Sequence, residues 1–494
     1  MTYLNRWTLR LAVAASLAVA APSQQSQEQS SLSGVVRLNR APVSNEVLRV
    51  KFPRPSETKL KNGLSLMVLE DHRTPSFALR LSIPASSLTE PPELAGTLAG
   101  SVAYLVRQGT KTRSAQQIAE TLAELGGGLG VSAGPRNITV SVSGLTDNLD
   151  ELLELFADVL LNPSFPQSEL DTLVQRQLSS LQAARSQPGF LAEERLYALL
   201  YPNDARKVTA PTAESLKRLT REEVVKYYQA NYKPAGGMIG VAGDVNLKDM
   251  AARLEKLLSG WKGSPPPLPK LALEPPIKDK RVVLVDRPNS VQTYLTVANR
   301  AIGRRDPDYI ACNLMNQVLG SGPASRLFRN IREEKGFTYG ISSGFSATWY
   351  FNDFEASANV RTEVTEAALD EILKEFRDIR ERPVPADELD GARRALVGGF
   401  ARSLESASSL LSRAMELKEY GFPADYWDRY PEQLMKLTPQ QITQVARKYV
   451  PVDNIQIVAV GDAARLRSAL KKFGPVEEYT AEGKPVSGSR QAGP

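Results

Sequence analysis

Leu219-Thr220-Arg221-Glu222-Glu223 opens a helical stretch that runs into Ile239-Gly240-Val241-Ala242-Gly243-Asp244. Leu437-Thr438-Pro439-Gln440-Gln441 opens another, which runs into Ile457-Val458-Ala459-Val460-Gly461-Asp462. In both, 24 residues separate the leucine from the glycine of the closing Gly-Asp pair. Thr220 with Glu223, and Thr438 with Gln441, have the spacing of a capping box, in which a side-chain oxygen and an acid or amide three residues on satisfy each other's backbone N–H. The apolar run before each Gly-Asp reads as a strand. Upstream, Phe165-Pro166-Gln167-Ser168-Glu169-Leu170-Asp171 matches Val384-Pro385-Ala386-Asp387-Glu388-Leu389-Asp390. Two sets of landmarks at nearly one offset, 218 and 219 residues, mark a duplication. The expected fold is α+β, with two homologous domains at 50–262 and 280–478, each an antiparallel-rich β-sheet packed with helices.

Outward from these landmarks, Asn62-Gly63 between residues 57–61 and 64–69 predicts a hairpin with a two-residue turn. Phe77, Leu79, Leu81 and Ile83 alternate as in a half-buried strand. Leu149, Leu152, Leu153, Phe156, Val159 and Leu160 follow helical spacing. Gly263-Ser264-Pro265-Pro266-Pro267 begins an extended linker, 263–279, that includes Pro275-Pro276. Residues 479–494 read as a disordered polar tail. At the other end, Arg6 and Arg10 precede an apolar run from Leu11 to Ala21, and Ala18-Val19-Ala20 fits a small-x-small cleavage site. Residues 1–20 are therefore expected to be a signal peptide, followed by a Gln/Ser-rich flexible leader at 21–49. The run is far short of the ~20 residues that span a bilayer, so no transmembrane segment is expected. The expected destination is export, to the periplasm or beyond if the chain is bacterial.

Composition excludes much chemistry. Of 494 residues, 42% are apolar and 23% charged, as in ordinary folded chains. The net charge of +6 is mild, and no basic stripe with interleaved aromatics suggests nucleic acid. There is one histidine, His72, and one cysteine, Cys312. Zinc sites draw three or four ligands mostly from these types, so no such site can be built within the chain, and no intramolecular disulfide either. Gly340-Ile341-Ser342-Ser343-Gly344 has the pattern of a nucleophile elbow, but that arrangement needs a histidine after the serine, and none follows Ser342. Gly126-Gly127-Gly128-Leu129-Gly130 follows a helix capped by Ser114 and Gln117, so it reads as a helix end leading into a strand rather than a phosphate loop. Asn137-Ile138-Thr139 is a glycosylation sequon, meaningful only in a eukaryotic secretory pathway. His72 lies in a charged turn and reads as solvated. Cys312, beside Ile310, Leu314 and Met315, reads as a core thiol.

Two further blocks carry a resemblance. Gly109-Thr110-Lys111-Thr112-Arg113-Ser114-Ala115, with Ile118-Ala119-Glu120, Leu125-Gly126-Gly127 and Leu161-Asn162-Pro163-Ser164-Phe165-Pro166, resembles the pitrilysin/insulinase zinc peptidases, mitochondrial processing peptidase-like members above all. Arg326-Leu327-Phe328 and Ile331-Arg332-Glu333-Glu334-Lys335-Gly336-Phe337-Thr338-Tyr339 agree in the second half. The resemblance covers about residues 50–478 and implies a clamshell of paired domains.

It also implies where the catalytic motif, His-x-x-Glu-His, would fall. The first His position is Gly100, the Glu is Ala103 and the second His is Tyr104; the distant glutamate ligand falls at Ser180. None of these side chains can serve in its assigned role, and nothing at Ala103 can take a proton from water. The first half is thus expected to be degenerate and the chain to hold no zinc. The family's non-zinc half contributes an Arg and, seven residues on, a Tyr, here Arg332 and Tyr339. A permanent cation with five donors and a directed hydroxyl suit an oxyanion and peptide clamp. The alternative for this pair is a cation at a helix C-terminus and a half-buried tyrosine.

The resemblance therefore implies the non-zinc subunit of a heteromeric metallopeptidase. It would be inactive alone, binding peptide or unfolded polypeptide for a homologous partner that carries zinc and general base. The alternative is a non-enzymatic scaffold or peptide-binding protein of the same fold.

Overall fold

A computed structural model describes residues 48–486. The expected signal peptide, nearly all of the leader and the last eight residues of the tail lie outside them.

Two six-stranded sheets organise the chain. The first contains β1 (Ser56–Lys59), β2 (Ser65–Glu70), β3 (Ser76–Pro84), β4 (Gly128–Ala133), β5 (Asn137–Leu145) and β6 (Met238–Gly243), in the order β1-β2-β6-β3-β5-β4. The second contains β7 (Arg281–Asp286), β8 (Gln292–Arg300), β9 (Thr338–Ala347), β10 (Asn352–Arg361), β11 (Gln456–Gly461) and β12 (Val476–Tyr479), in the order β12-β7-β11-β8-β10-β9. β2 pairs parallel with β6, and β7 parallel with β11, at the same place in each sheet. From there outward to β4 and to β9 every pairing is antiparallel. The duplication is thus repeated in five strands of each sheet, and the two Gly-Asp runs are the inner strands β6 and β11.

The sheets differ at one edge. β1 runs antiparallel to β2, whereas β12 runs parallel to β7. β12 and the turn after it correct the expected disordered tail for residues 479–486. Tyr479 bridges Pro485, and Val486 N–H donates to Glu478 at 2.9 Å. The first hairpin needs a second correction. Lys59 pairs with Ser65, so the connection takes five residues, closed by Leu60 N–H to Leu64 at 2.9 Å. Two of the three capping boxes close on both sides, at Ser114 and Thr438; Thr220 caps its helix from one side only.

One face of each sheet packs on helices of its own half, giving two main cores. Helix Leu149–Leu161 belongs to the first of these, and Cys312 is fully buried in the second. The other face is covered from across the molecule. Helix Pro188–Leu200 lays Leu191, Leu196 and Leu199 on Val283, Val285, Val458 and Val460 of the second sheet. In return, helix Ala407–Tyr420 lays Leu411, Ala414 and Met415 on Met67, Leu69 and Ala242 of the first. A Cβ at Gly240 would lie 2.5 Å from Leu411 Cδ1, so the bare glycine in β6 is what lets the helix seat. Covered on both faces, β6 and β11 are apolar almost throughout, as buried inner strands are.

The Pro-rich linker is tied down. Glu274 pairs with Arg206 and Arg300 at 2.7 Å each. Arg206 also bonds the carbonyls of Ala272 and Tyr350, and Arg300 that of Leu200. Nearby, β10 buries Asp353 and half-buries Glu355 on the face that meets helix Pro188–Leu200. Tyr201 donates its hydroxyl to Asp353 at 3.0 Å, and Thr296 donates to Glu355 at 3.4 Å. Burial pushes the Asp353 carboxyl up to about 6, and burial beside Asp353 pushes Glu355 up to about 7.

A carboxyl whose folded pKa is raised stabilises the fold while protonated, and that contribution is lost as pH rises through the folded value. Stability is therefore expected to fall between pH 5 and 8. Glu355→Gln should remove about 2–3 kcal/mol of that fall, because the variant cannot ionise there. Thermal melts of variant and wild type should coincide near pH 5 and separate by pH 8, the variant being more stable; parallel curves would refute the assignment. The His72 pKa is raised too, by its hydrogen bond to Asp244, so the quantity to read is the difference between the two proteins.

Candidate functional site

The assigned metal positions lie on two helices in contact. Helix Leu98–Leu105 turns Leu98, Ala99, Val102 and Leu105 into the core. Its N-terminus is capped by a carboxylate from outside the helix. Glu90 accepts from the backbone N–H groups of Thr97, Leu98 and Ala99 at 3.1, 3.2 and 2.9 Å. Of the assigned positions, Gly100 is exposed, Ala103 is buried and Tyr104 is half-buried. Ser180 is exposed on helix Gln167–Arg185. The link between the helices is Arg176, one turn before Ser180, whose guanidinium lies 4.4 Å from the centre of the Tyr104 ring. Arg107, one turn beyond Tyr104, lies 5.5 Å from the same ring. These residues do not fit a zinc ion. The four positions offer one phenol and one hydroxyl, and the two cations over the ring would repel a dication. Among the described residues no three His, Cys, Asp or Glu side chains gather as a metal site.

Arg332 and Tyr339 are brought together in the second half. Arg332 sits in the last turn of a π-helical segment, Phe328–Glu334, closed by Lys335 N–H to Asn330 at 3.0 Å. Such wide turns recur at functional sites because they reset the facing of the side chains that follow. The guanidinium lies 4.6 Å from the Phe328 ring centre and 5.4 Å from that of Tyr339.

Between β9 and β10 the register slips. Ala358 faces Ile341 but Val360 faces Thr338, so Tyr339 and Gly340 together oppose Asn359. This bulge re-aims the tyrosine, as bulges beside sites do. Tyr339 is 91% exposed, the most exposed large side chain with an apolar body among the described residues. The half-buried tyrosine of the alternative reading is therefore corrected. Apart from the ring contacts, neither the Arg332 guanidinium nor the Tyr339 hydroxyl has a side-chain partner among the described residues. No hydrogen bond, ion pair or ring contact joins this pair to Gly100, Ala103, Tyr104 or Ser180.

The remaining sequence candidates fall to structural roles. Ser342 is an exposed residue of β9 paired with Ser357. The glycines at 126–130 end helix Ala115–Glu124 and enter β4. Asn137 starts β5 and bonds Ser82. His72 is exposed and its Nδ1 meets Asp244 of the first Gly-Asp pair at 2.5 Å, a partner that sequence reading missed. The Cys312 thiol is pushed far up by burial, which leaves it inert.

The family description "Insulinase (Peptidase family M16)" matches residues 66–211, and "Peptidase M16 inactive domain" matches residues 218–396. Together they take in about two thirds of the chain.

The chain belongs to the M16 peptidase family.

The degenerate positions fall in the first match, and Arg332 and Tyr339 in the second. Among curated M16 relatives, an "Uncharacterized zinc protease" of Rickettsia bellii is 23% identical over 406 residues, covering 81% of this chain and 93% of that protein. The "Non-peptidase homolog YmxG" of Helicobacter pylori is 24% identical over 401 residues, covering 80% and 90%. A solved structure described as a peptidase M16 inactive domain from Pseudomonas fluorescens superposes with a TM-score of 0.76 at 27% identity, covering 83% of this chain and 98% of that one. A protease from Helicobacter pylori gives the same TM-score at 19% identity, which speaks for the fold alone. No helix of the described residues is long and apolar enough to cross a membrane.

Proposed function

We propose that this M16 chain is the zinc-less subunit of a heteromeric peptidase. Arg332 and Tyr339 orient peptide for a homologous chain that supplies metal and general base. The observation that carries this reading is the bulge that holds Tyr339 in solvent beside an Arg332 with no counter-charge among the described residues. A ring turned out of its strand forgoes the burial a strand tyrosine normally gains, so the arrangement suits a ligand rather than the fold. The unfit side chains at Gly100, Ala103, Tyr104 and Ser180 support a reading in which the nucleophile is activated elsewhere. Export of the mature chain, expected from residues 1–20, belongs to the same proposal.

The non-enzymatic scaffold is the competing reading, and the name of the Helicobacter pylori relative suits it. Elemental analysis of the purified chain should find no stoichiometric zinc, and the chain alone should cleave no peptide. Co-expressed with an M16 chain bearing His-x-x-Glu-His, it should co-purify and raise that chain's peptidase turnover. One zinc per molecule with chelator-sensitive cleavage would overturn the proposal. A pair that never associates, or a complex no more active than the zinc chain alone, would favour the scaffold.

A further inference from the structure

We infer that the first half binds an oxyanion at the Tyr104 ring, held by the guanidinium groups of Arg176 and Arg107. The two cations converge on one ring, at 4.4 and 5.5 Å from its centre, and neither donates a hydrogen bond to any acceptor among the described residues. Neither guanidinium has a carboxylate partner among the described residues, and a π face offsets an unpaired cation only partly. The Arg107 Nε–H is buried and has no acceptor among the described residues, where buried protein donors are otherwise met.

Space for a ligand lies beside the ring. Gly100, one turn before Tyr104, is exposed, and a Cβ built on it would meet nothing within 4 Å. Ser180 adds an exposed hydroxyl one turn after Arg176. The N-terminus of helix Leu98–Leu105 takes no part, because Glu90 already occupies it. A carboxylate or phosphoryl group suits this cradle, since guanidinium forks match the paired oxygens of either. The position that cannot hold a dication thus keeps positive charge in side chains, and the ligand it draws is an anionic group on a peptide or a free oxyanion.

The inference concerns the chain alone and needs no partner, so its failure leaves the reading of Arg332 and Tyr339 standing. The test is fluorescence anisotropy of the full chain with a labelled Gly/Ser peptide ending in a free carboxylate, its amidated twin, and an amidated twin carrying one internal Glu. Either carboxylate should bind at least tenfold tighter than the uncharged twin, and the stronger of the two identifies the source. Inorganic phosphate that displaces the probe extends the site to free oxyanions; phosphate that does not confines it to carboxylates. Arg176→Gln, at an exposed position, should abolish the tenfold preference with an unchanged melting temperature. Gly100→Glu, which places an internal carboxylate in the open space, should weaken the probe in the same way. Equal binding of acid and amide peptides, or an undiminished preference in Arg176→Gln, would overturn the inference.

Discussion

Tyr339→Phe is expected to lower kcat by ~10²–10³ in a complex with a zinc-bearing partner, while assembly and melting temperature stay unchanged. The change removes one hydroxyl from a ring that is 91% exposed and has no hydrogen-bond partner among the described residues, so the fold loses almost nothing. If that hydroxyl donates to the oxygen on which charge develops, its loss costs about 2.7–4 kcal/mol of transition-state stabilisation. If it holds only bound substrate, KM rises and kcat stays level. Arg332→Ala is less clean, because it also takes a cation from the last turn of a helical segment, worth roughly 0.3–1 kcal/mol, and uncovers the Phe328 ring. Steady-state kinetics on the reconstituted complex decide the matter. Wild-type kcat and KM in Tyr339→Phe would return the residue to a role outside catalysis.

The largest stability loss is expected at Gly243→Ala. The glycine ends β6 at φ +129, and a Cβ there would lie 2.1 Å from the Ser76 carbonyl oxygen and 2.8 Å from Phe77 Cα. Both obstacles are backbone, in a strand paired on its other side as well, so neither can swing away. An L side chain at that φ costs about 1–3 kcal/mol and the forced repacking about as much again, giving ~3–5 kcal/mol in total. The duplicate glycine behaves differently. Gly461 has an ordinary φ, and its nearest obstacle is Leu466 Cδ1 at 2.8 Å, the end of a flexible side chain. Gly461→Ala should cost about 1 kcal/mol. Urea unfolding of the two variants at one pH separates them. Equal losses, or a loss at Gly243 below that at Gly461, would contradict the argument.

The contrast shows what was legible in the sequence. The duplication could be read because its landmarks are local: a cap, an apolar inner strand and a Gly-Asp exit recur within 24 residues in each half. The same local logic found β3, helix Leu149–Leu161 and the buried Cys312. It overreached at the first hairpin, where Asn62-Gly63 signalled a two-residue turn but the pairing of Lys59 with Ser65 demanded a wider one. It missed the turn after β12, where Tyr479 bridges Pro485 and Val486 donates to Glu478, because nothing in residues 480–486 announces those contacts. Tyr339 was found only through a resemblance. Its exposure follows from a register slip between β9 and β10, which alternation along one strand cannot reveal. Arg176 went unnoticed because it meets Tyr104 through the packing of two helices about 70 residues apart.

The reciprocal covering of the sheets by helices Pro188–Leu200 and Ala407–Tyr420 bears on how this molecule can move. Each half holds a piece of the other in a handclasp, so swinging them apart about the linker would peel two apolar seams into water at once. A hinge needs a sparse, polar boundary, and this boundary is neither. The chain should therefore behave as one rigid jaw. On the proposed reading, the motion that admits and encloses a polypeptide comes from a second jaw, that is, from another chain closing against this one. A nick in the 263–279 strap should accordingly leave the two fragments clasped in native solution, to part only when both unfold.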